Sequence, residues 1–308
     1  MVITDNTNIL IIGASGFLGQ GLARYCSVSG LTVIGLDIVA PVDNNHIKFF
    51  HLVDCLEDEL GALLVKYQPC FLVNLAGNAD VKKSMAEPLH DFKHSVQLFS
   101  VILESVRHFS PTTKILLSSS AAVYGQPTQL PISEKDRPNP ISPYGYHKWM
   151  CELMANEYSS IYGIKTISMR IFSAYGIGLK KQILWDLCCK CQSGNDIELG
   201  GDGSETRDFI HLNDACTAAL CLLREEKYNS GVYNVASGEE VSIQALARLV
   251  LEEFGIEEHK LKFSGESRIG DPKNWRADIN KLKVLGYTPA IKLESGIREY
   301  VKWFKTIN

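Results

Sequence analysis

Apolar residues gather in short runs through the first half of the chain, with longer helix-period stretches between them. Asn8–Ile12, Thr32–Leu36, Ile47–Leu52, Phe71–Leu75 and Lys114–Ser118 are five β-rich runs. A glycine-rich turn and a helix to about Val28 follow the first, and Leu89–Arg107 is the clearest of the later helical stretches. Ser142–Tyr162 is a long helix with Pro143 in its first turn, where a missing N–H costs nothing, and Ile164–Ile171 is the next strand. Strand–helix alternation predicts an α/β fold with a doubly wound parallel sheet, because right-handed crossovers put helices on both faces. After Tyr175 the pattern turns irregular, with loops at Gly200–Gly203 and Ser264–Pro272. The expected division is residues 1–175 for the sheet domain and 176–308 for a smaller mixed α/β region. Segments near Asp208–Leu212 and Val232–Ala236 read as strands returning, between about 207 and 237, to the first sheet or its neighbour. With no repeat, low-complexity segment or Pro/Ser linker between them, the two regions are expected to share a cleft.

Composition narrows the class. Of 308 residues 45% are hydrophobic and 21% charged, which excludes a disordered or fibrous chain. Lys+Arg total 31 against 35 Asp+Glu, so the net charge of −4 gives no footprint for a nucleic-acid partner. No apolar run reaches the roughly 18–20 residues that cross a bilayer. The first residues lack a basic n-region, so no secretory signal is expected. Nine scattered cysteines read as reduced thiols, and the expected location is cytoplasmic.

The segment Ile9–Gly19 reads as strand, tight turn and helix start, with glycines at 13, 16 and 19. Gly13 and Gly16 allow a sharp turn and close approach to a pyrophosphate, and Gly19 allows the helix to pack near the sheet. The helix N-terminus then offers N–H groups and partial positive charge to the phosphates, with Ser15, Phe17 and Leu18 completing the loop. The spacing is GxxGxxG rather than GxGxxG. Asp37 ends the second strand about 20 residues on, where an acid accepts hydrogen bonds from the adenosine ribose. A carboxylate there repels a 2′-phosphate, so the predicted cofactor is NAD on a Rossmann-type sheet. Asp54, ending the third strand, is placed to reach the adenine or to cap the following helix. Leu75, Ala76 and Gly77 close the fourth strand with residues small enough for close cofactor approach.

Tyr144 and Lys148 stand four residues apart and so share one helix face. A nearby ammonium and the charge of NAD⁺ both favour the phenolate, which suits Tyr144 to act as general base. Ser118, Ser119 and Ser120 lie at the carboxyl end of the fifth strand, where open α/β sheets bind ligands. A serine hydroxyl there is placed to hydrogen-bond a substrate oxygen.

With these motifs in hand, the chain resembles the extended short-chain dehydrogenase/reductase family, in its nucleotide-sugar epimerase/dehydratase branch. The resemblance runs over nearly the whole chain: the glycine loop, Leu-Ala-Gly at 75–77, Ser118–Gly125, Ser142–Lys148, Met169–Gly176, Gly201–His211, Tyr233–Gly238 and Arg268–Asp271. It implies that Ser120, Tyr144 and Lys148 form the catalytic triad, with Lys148 also holding the nicotinamide ribose. It implies Ser118 and Phe172 beside the cofactor, and Ser173 and Gln182 in the nucleotide-sugar pocket. Arg207 and Arg268 would contact the diphosphate, where a guanidinium suits phosphate geometry, and Asp271 the nucleotide ribose.

The implied activity is C4 epimerisation of a UDP-hexose through a transient 4-keto sugar. An NAD(P)H-dependent 4-keto-sugar reductase is the alternative, and a non-catalytic NAD-binding protein on the same fold is a third. A 4,6-dehydratase fits less well, since Ala121 and Ala122 stand where that branch carries an Asp-Glu pair. Three departures bear on the sugar and base: Ser173 replaces the usual Asn, Ala79 a lysine of galactose epimerases, and Ser95 a frequent Asn near the cofactor. The helices Leu89–Arg107 and Pro143–Tyr162 carry apolar faces that in this family form a four-helix dimer interface, so a homodimer is expected.

Cys188, Cys189 and Cys191 lack a second Cys/His pair at metal spacing and read as packed thiols, so no metal is expected. His147 points off the Tyr144–Lys148 face and reads as structural, and His211 as a satisfied hydrogen-bonding residue.

Overall fold

The computed structural model describes residues 7–77, 79–194, 196–225, 228, 230–266, 270 and 272–307. Arg268 and Asp271 fall outside these. The sheet is built from β1 (Asn8–Ile12), β2 (Thr32–Asp37), β3 (Phe49–Leu52), β4 (Phe71–Asn74), β5 (Lys114–Ser120) and β6 (Thr166–Ile171), closed at one edge by Gly231–Val235. Its order is Gly231–Val235, β6, β5, β4, β1, β2, β3, and every pairing is parallel. Chain order reverses between β1 and β4, which opens a crevice at the carboxyl ends of those strands.

Successive side chains feed opposite faces. Ile9, Ile11, Phe71, Val73 and Leu116 join one buried cluster, with α1 (Phe17–Val28) and helix Leu212–Arg224. Leu10, Ile12, Leu72, Ile115 and Leu117 join the other, against α2 (Leu56–Tyr67) and the helices described next. Burial on both faces explains why these strands read as continuous apolar runs.

The stretch expected as one helix from Leu89 to Arg107 is helical throughout, from Pro88 to Phe109, but widens once within its length. After α3 (Val81–Ala86) come α4 (Pro88–Phe92), one wide π-type turn at Lys93–Gln97, and α5 (Leu98–Phe109). The wide turn brings the His94 carbonyl against Gly77, where a Cβ would lie 3.1 Å from that oxygen. Extra residues in a helix of this kind recur at functional sites. The helix α6 (Pro143–Tyr162) starts on Ser142, whose Oγ accepts the Gly145 N–H at 3.2 Å, and stops at left-handed Gly163.

Beyond Tyr175 a third buried cluster forms around α7 (Gln182–Ser193), Ile243–Phe254 and Leu293–Ile307. Cys188 and Cys191 are buried in it beside Leu184 and Leu187, while Cys189 is exposed. The segment near 208–212 forms Phe209–His211 and pairs with Ser173–Tyr175 in a separate two-stranded sheet, whereas the one near 232–236 joins the main sheet. Asp208 joins these parts. Fully buried, it accepts from Ser237 N (2.8 Å), Ser237 Oγ (2.7 Å), Gly238 N (3.0 Å) and Ala277 N (3.0 Å). Burial pushes its carboxyl up to about 6 against those four donors, which pull the other way. Asp208→Ala leaves the donors unmet, and we expect a loss of about 3–5 kcal/mol in urea unfolding; a loss under about 1 kcal/mol contradicts this role.

Candidate active site

The glycine loop fits a bound dinucleotide. Gly13 has φ +84°, and a Cβ there would lie 2.6 Å from Ala76 N and 2.8 Å from the Leu75 carbonyl carbon. Only a residue without a side chain lets the turn pass so close to the end of β4. Gly13 N donates to Leu36 O (2.9 Å) and Leu75 N to Ile12 O (2.9 Å), so β1, β2 and β4 end at one level. Gly16 caps α1 without a side-chain hydrogen bond, and Phe17, Leu18 and Gly19 form its first turn, Gly19 packed on the Gly13 carbonyl.

Asp37 is half-buried at the end of β2 and accepts from Ser15 N (2.9 Å) and Ile38 N (2.8 Å). One oxygen thus braces the glycine loop at the level where a ribose would sit. Asp54 is exposed just past β3, and Val53 N bonds to Asp37 O (3.0 Å), so both acids stand on neighbouring strand ends. The capping alternative for Asp54 does not hold: Cys55 occupies the cap of α2, and no side chain bonds there.

Lys148 is buried, and its Nζ donates to Ser118 O at 2.8 Å while lying 5.8 Å from the centre of the Tyr144 ring. Tyr144 is also buried, its backbone N–H held by Ser84 Oγ (3.1 Å). Half-buried Ser120 caps the short turn Ala121–Tyr124, its Oγ accepting from Ala122 N at 3.2 Å. The first turn of α6 packs on that segment through Gly145, where a Cβ would lie 2.5 Å from Ala122 O. Strand β5 and helix α6 therefore present Ser120, Tyr144 and Lys148 at one place.

A polar cradle continues toward Gly77. Ser95 Oγ lies 3.8 Å, and Lys148 Nζ 4.0 Å, from the point a Gly77 Cβ would occupy. Ser95 is buried and its hydroxyl has no partner among the described residues. An orphaned hydroxyl beside a lysine and a bare glycine suits the hydroxyl-rich sugar of a dinucleotide.

The facing wall comes from the later chain. Phe172 is buried between the rings of Tyr124 (6.4 Å) and Trp275 (5.9 Å). Trp275 Nε1 donates to Gly125 O (3.1 Å), and the Arg207 guanidinium lies 5.5 Å over the Trp275 ring. Arg207 also bonds Thr206 O (2.8 Å). Ser173 N is engaged by Asp208 O (3.0 Å), and exposed Gln182 begins α7 with φ +66°.

His147 leaves this face, its Nδ1 donating at 2.5 Å to the buried Asp91 carboxylate. The expectation for His211 needs correction. Its Nδ1 accepts from Asn213 N at 3.2 Å, but Nε2 is buried without a hydrogen-bond partner among the described residues, because Glu299 stops 3.8 Å away. Burial pushes that imidazole down. Sequence reasoning also missed Glu152, Arg170 and Trp275. Glu152 was findable, since it continues the four-residue spacing of Tyr144 and Lys148.

The family model for the NAD dependent epimerase/dehydratase family matches residues 9–236. The chain belongs to that family. The match begins at β1 and runs through the edge strand, so it covers the glycine loop, the serine run and the tyrosine–lysine pair. The chain is 28% identical to a UDP-glucose 4-epimerase from Mycolicibacterium smegmatis, over 96% of this chain and 98% of the relative. A UDP-glucose 4-epimerase of Thermotoga maritima with UDP-glucose superposes at TM-score 0.88 and 26% identity, over 98% of this chain and all of that one. A UDP-glucuronic acid 4-epimerase from Bacillus cereus, in complex with UDP-glucuronic acid and NAD, superposes at TM-score 0.89 and 25% identity, over 98% of this chain and all of that one.

Proposed function

We propose that the protein interconverts UDP-hexoses at C4, using one tightly held NAD. The observation that carries this reading is the seating of Lys148 on Ser118 O beside Tyr144, at the crevice where the glycine loop and Asp37 also end. Residues 1–175 hold the dinucleotide, and residues 176–308 close over the nucleotide sugar. When bound, NAD supplies the acceptor that takes hydrogen from C4 and later returns it. Tyr144 accepts the proton of the 4-hydroxyl, with Ser120 hydrogen-bonding the same oxygen. The ammonium of Lys148 holds the cofactor ribose. The resulting 4-keto sugar turns in the pocket so that its other face meets the cofactor site, and Tyr144 gives the proton back to the 4-oxygen. Arg207, with Arg268 from outside the described residues, neutralises the diphosphate, and Asp271 takes the ribose. Ser173 and Gln182 line the same pocket. Ala121 and Ala122 are buried side chains unable to move a proton, which sets this site apart from elimination across C5–C6.

Denaturing the protein purified without ligand and weighing what is released tests the reading. NAD near one per chain is expected, with any co-purified nucleotide naming the carrier. An empty site that fills only with added NADPH moves the reductase to first place.

The outer faces of α4 and α6 leave Leu89, Phe92, Tyr146, Met150 and Leu153 exposed, while the inner face of α6 is buried. A second copy of this chain covers them as a homodimer. Leu153→Arg is expected to shift light-scattering mass from two chains to one; an unchanged mass contradicts the interface. Among the described residues no helix is long and apolar enough to cross a membrane, and all nine cysteines are free. Free thiols suit a reducing compartment, and we place the enzyme in the cytoplasm.

A further inference from the structure

Glu152 lies one helical turn beyond Lys148 and two beyond Tyr144, so all three share the inner face of α6. Opposite it, the parallel register of β5 and β6 sets Ser119 beside Arg170. Ser119 Oγ donates to Glu152 Oε1 at 2.6 Å. Arg170 closes a two-pronged contact on the same carboxylate, Nε to Oε1 at 2.9 Å and an Nη to Oε2 at 2.6 Å. Ser119, Glu152 and Arg170 are 2%, 7% and 4% exposed, so the ion pair is out of water. An apolar pair of the same volume often gives equal or greater stability at such a place, so stability alone does not account for it.

Geometry does. A forked guanidinium–carboxylate pair fixes direction as well as distance. Here it ties α6 to two neighbouring strands at once, which sets both its depth and its rotation. The tie sits one residue from Ser118, whose carbonyl seats Lys148, and one from Ser120. Arg170 reaches further: its guanidinium lies 4.5 Å over the Tyr124 ring, and Tyr124 OH donates to Asn234 Oδ1 at 2.7 Å. Asn234 Nδ2 in turn holds Ile132 O (2.9 Å) and Asp278 O (3.1 Å), next to the segment that carries Trp275.

We propose that Glu152, with Arg170 and Ser119, is a positioning residue that holds Tyr144 and Lys148 in register with Ser120. The proposal rests on the C4 reaction assigned above. It is tested with Ser119→Ala, Glu152→Gln and the double variant Glu152→Leu/Arg170→Met, each assayed per bound NAD. Ser119→Ala loses one tie and kcat falls about tenfold; Glu152→Gln loses the fork and kcat falls about 100-fold, with KM little changed. Glu152→Gln also leaves the buried Arg170 charge without its carboxylate. The double variant removes that charge too, and kcat stays low because the ties remain broken.

A pair serving stability alone lowers the melting temperature and leaves kcat per bound NAD untouched in Ser119→Ala and the double variant. That result overturns the proposal, and it stands even when Glu152→Gln does not fold. If the unaltered protein converts no UDP-hexose, the reaction assignment fails instead. Release of NAD from the holoenzyme then decides, since it needs no sugar: faster release in Ser119→Ala and the double variant supports the tie, and equal release overturns it.

Discussion

Replacing Tyr144 with Phe is expected to lower kcat by about 10³-fold, near 4 kcal/mol of transition-state stabilisation, with KM and NAD content unchanged. The phenyl ring keeps the packing of the buried tyrosine on the first turn of α6 and removes only the hydroxyl. Lys148 stays on Ser118 O, so the cofactor seat survives. Without the phenol no group at that position accepts the 4-hydroxyl proton, and Ser120 is a far weaker base. Initial rates with a UDP-hexose, divided by NAD released on denaturation, check this. A loss below about tenfold shows that another group carries the proton.

Gly13→Ala produces the other large effect, on cofactor retention. The substitution meets two obstacles together. At φ +84° an L-residue with a side chain is strained, and its Cβ would press on backbone atoms of Ala76 and Leu75 rather than on a flexible side chain. The strain and the forced displacement of the β4 end together cost about 2–4 kcal/mol. Because the loop carries the N–H groups that would meet the pyrophosphate, the purified variant is expected to contain less than about a tenth of the usual NAD. Chromatography of the denatured supernatant and a thermal melt measure both quantities. Full NAD content with an unchanged melt contradicts the placement of the dinucleotide on this loop.

The contrast between these residues and others shows which features a sequence carries openly. Gly13, Asp37, Tyr144 and Lys148 are set by local spacing: a turn at a strand end, the next strand's end, and one helical turn. The sheet was legible for a similar reason, since strands buried on both faces are apolar throughout. The π-type turn in the helix between Pro88 and Phe109 was not, because the contact it makes, His94 O against Gly77, comes together only in the fold. The same holds for Arg170. Nothing local links it to Glu152; the β5–β6 register does. The strand near 208–212 went to a small separate sheet because Ser173–Tyr175 was there to receive it, a choice made by tertiary contact. His211 shows the converse, a residue whose position reads correctly while its second nitrogen stays without a partner among the described residues.

The central claim is that hydrogen leaves and returns to C4 on one enzyme-held cofactor. The direct measurement uses UDP-glucose carrying deuterium at C4, incubated with the holoenzyme without added nucleotide cofactor and followed by NMR. The 4-epimer is expected with deuterium still at C4. Label lost from C4, or turnover of a 4-keto sugar only with added NAD(P)H, contradicts it.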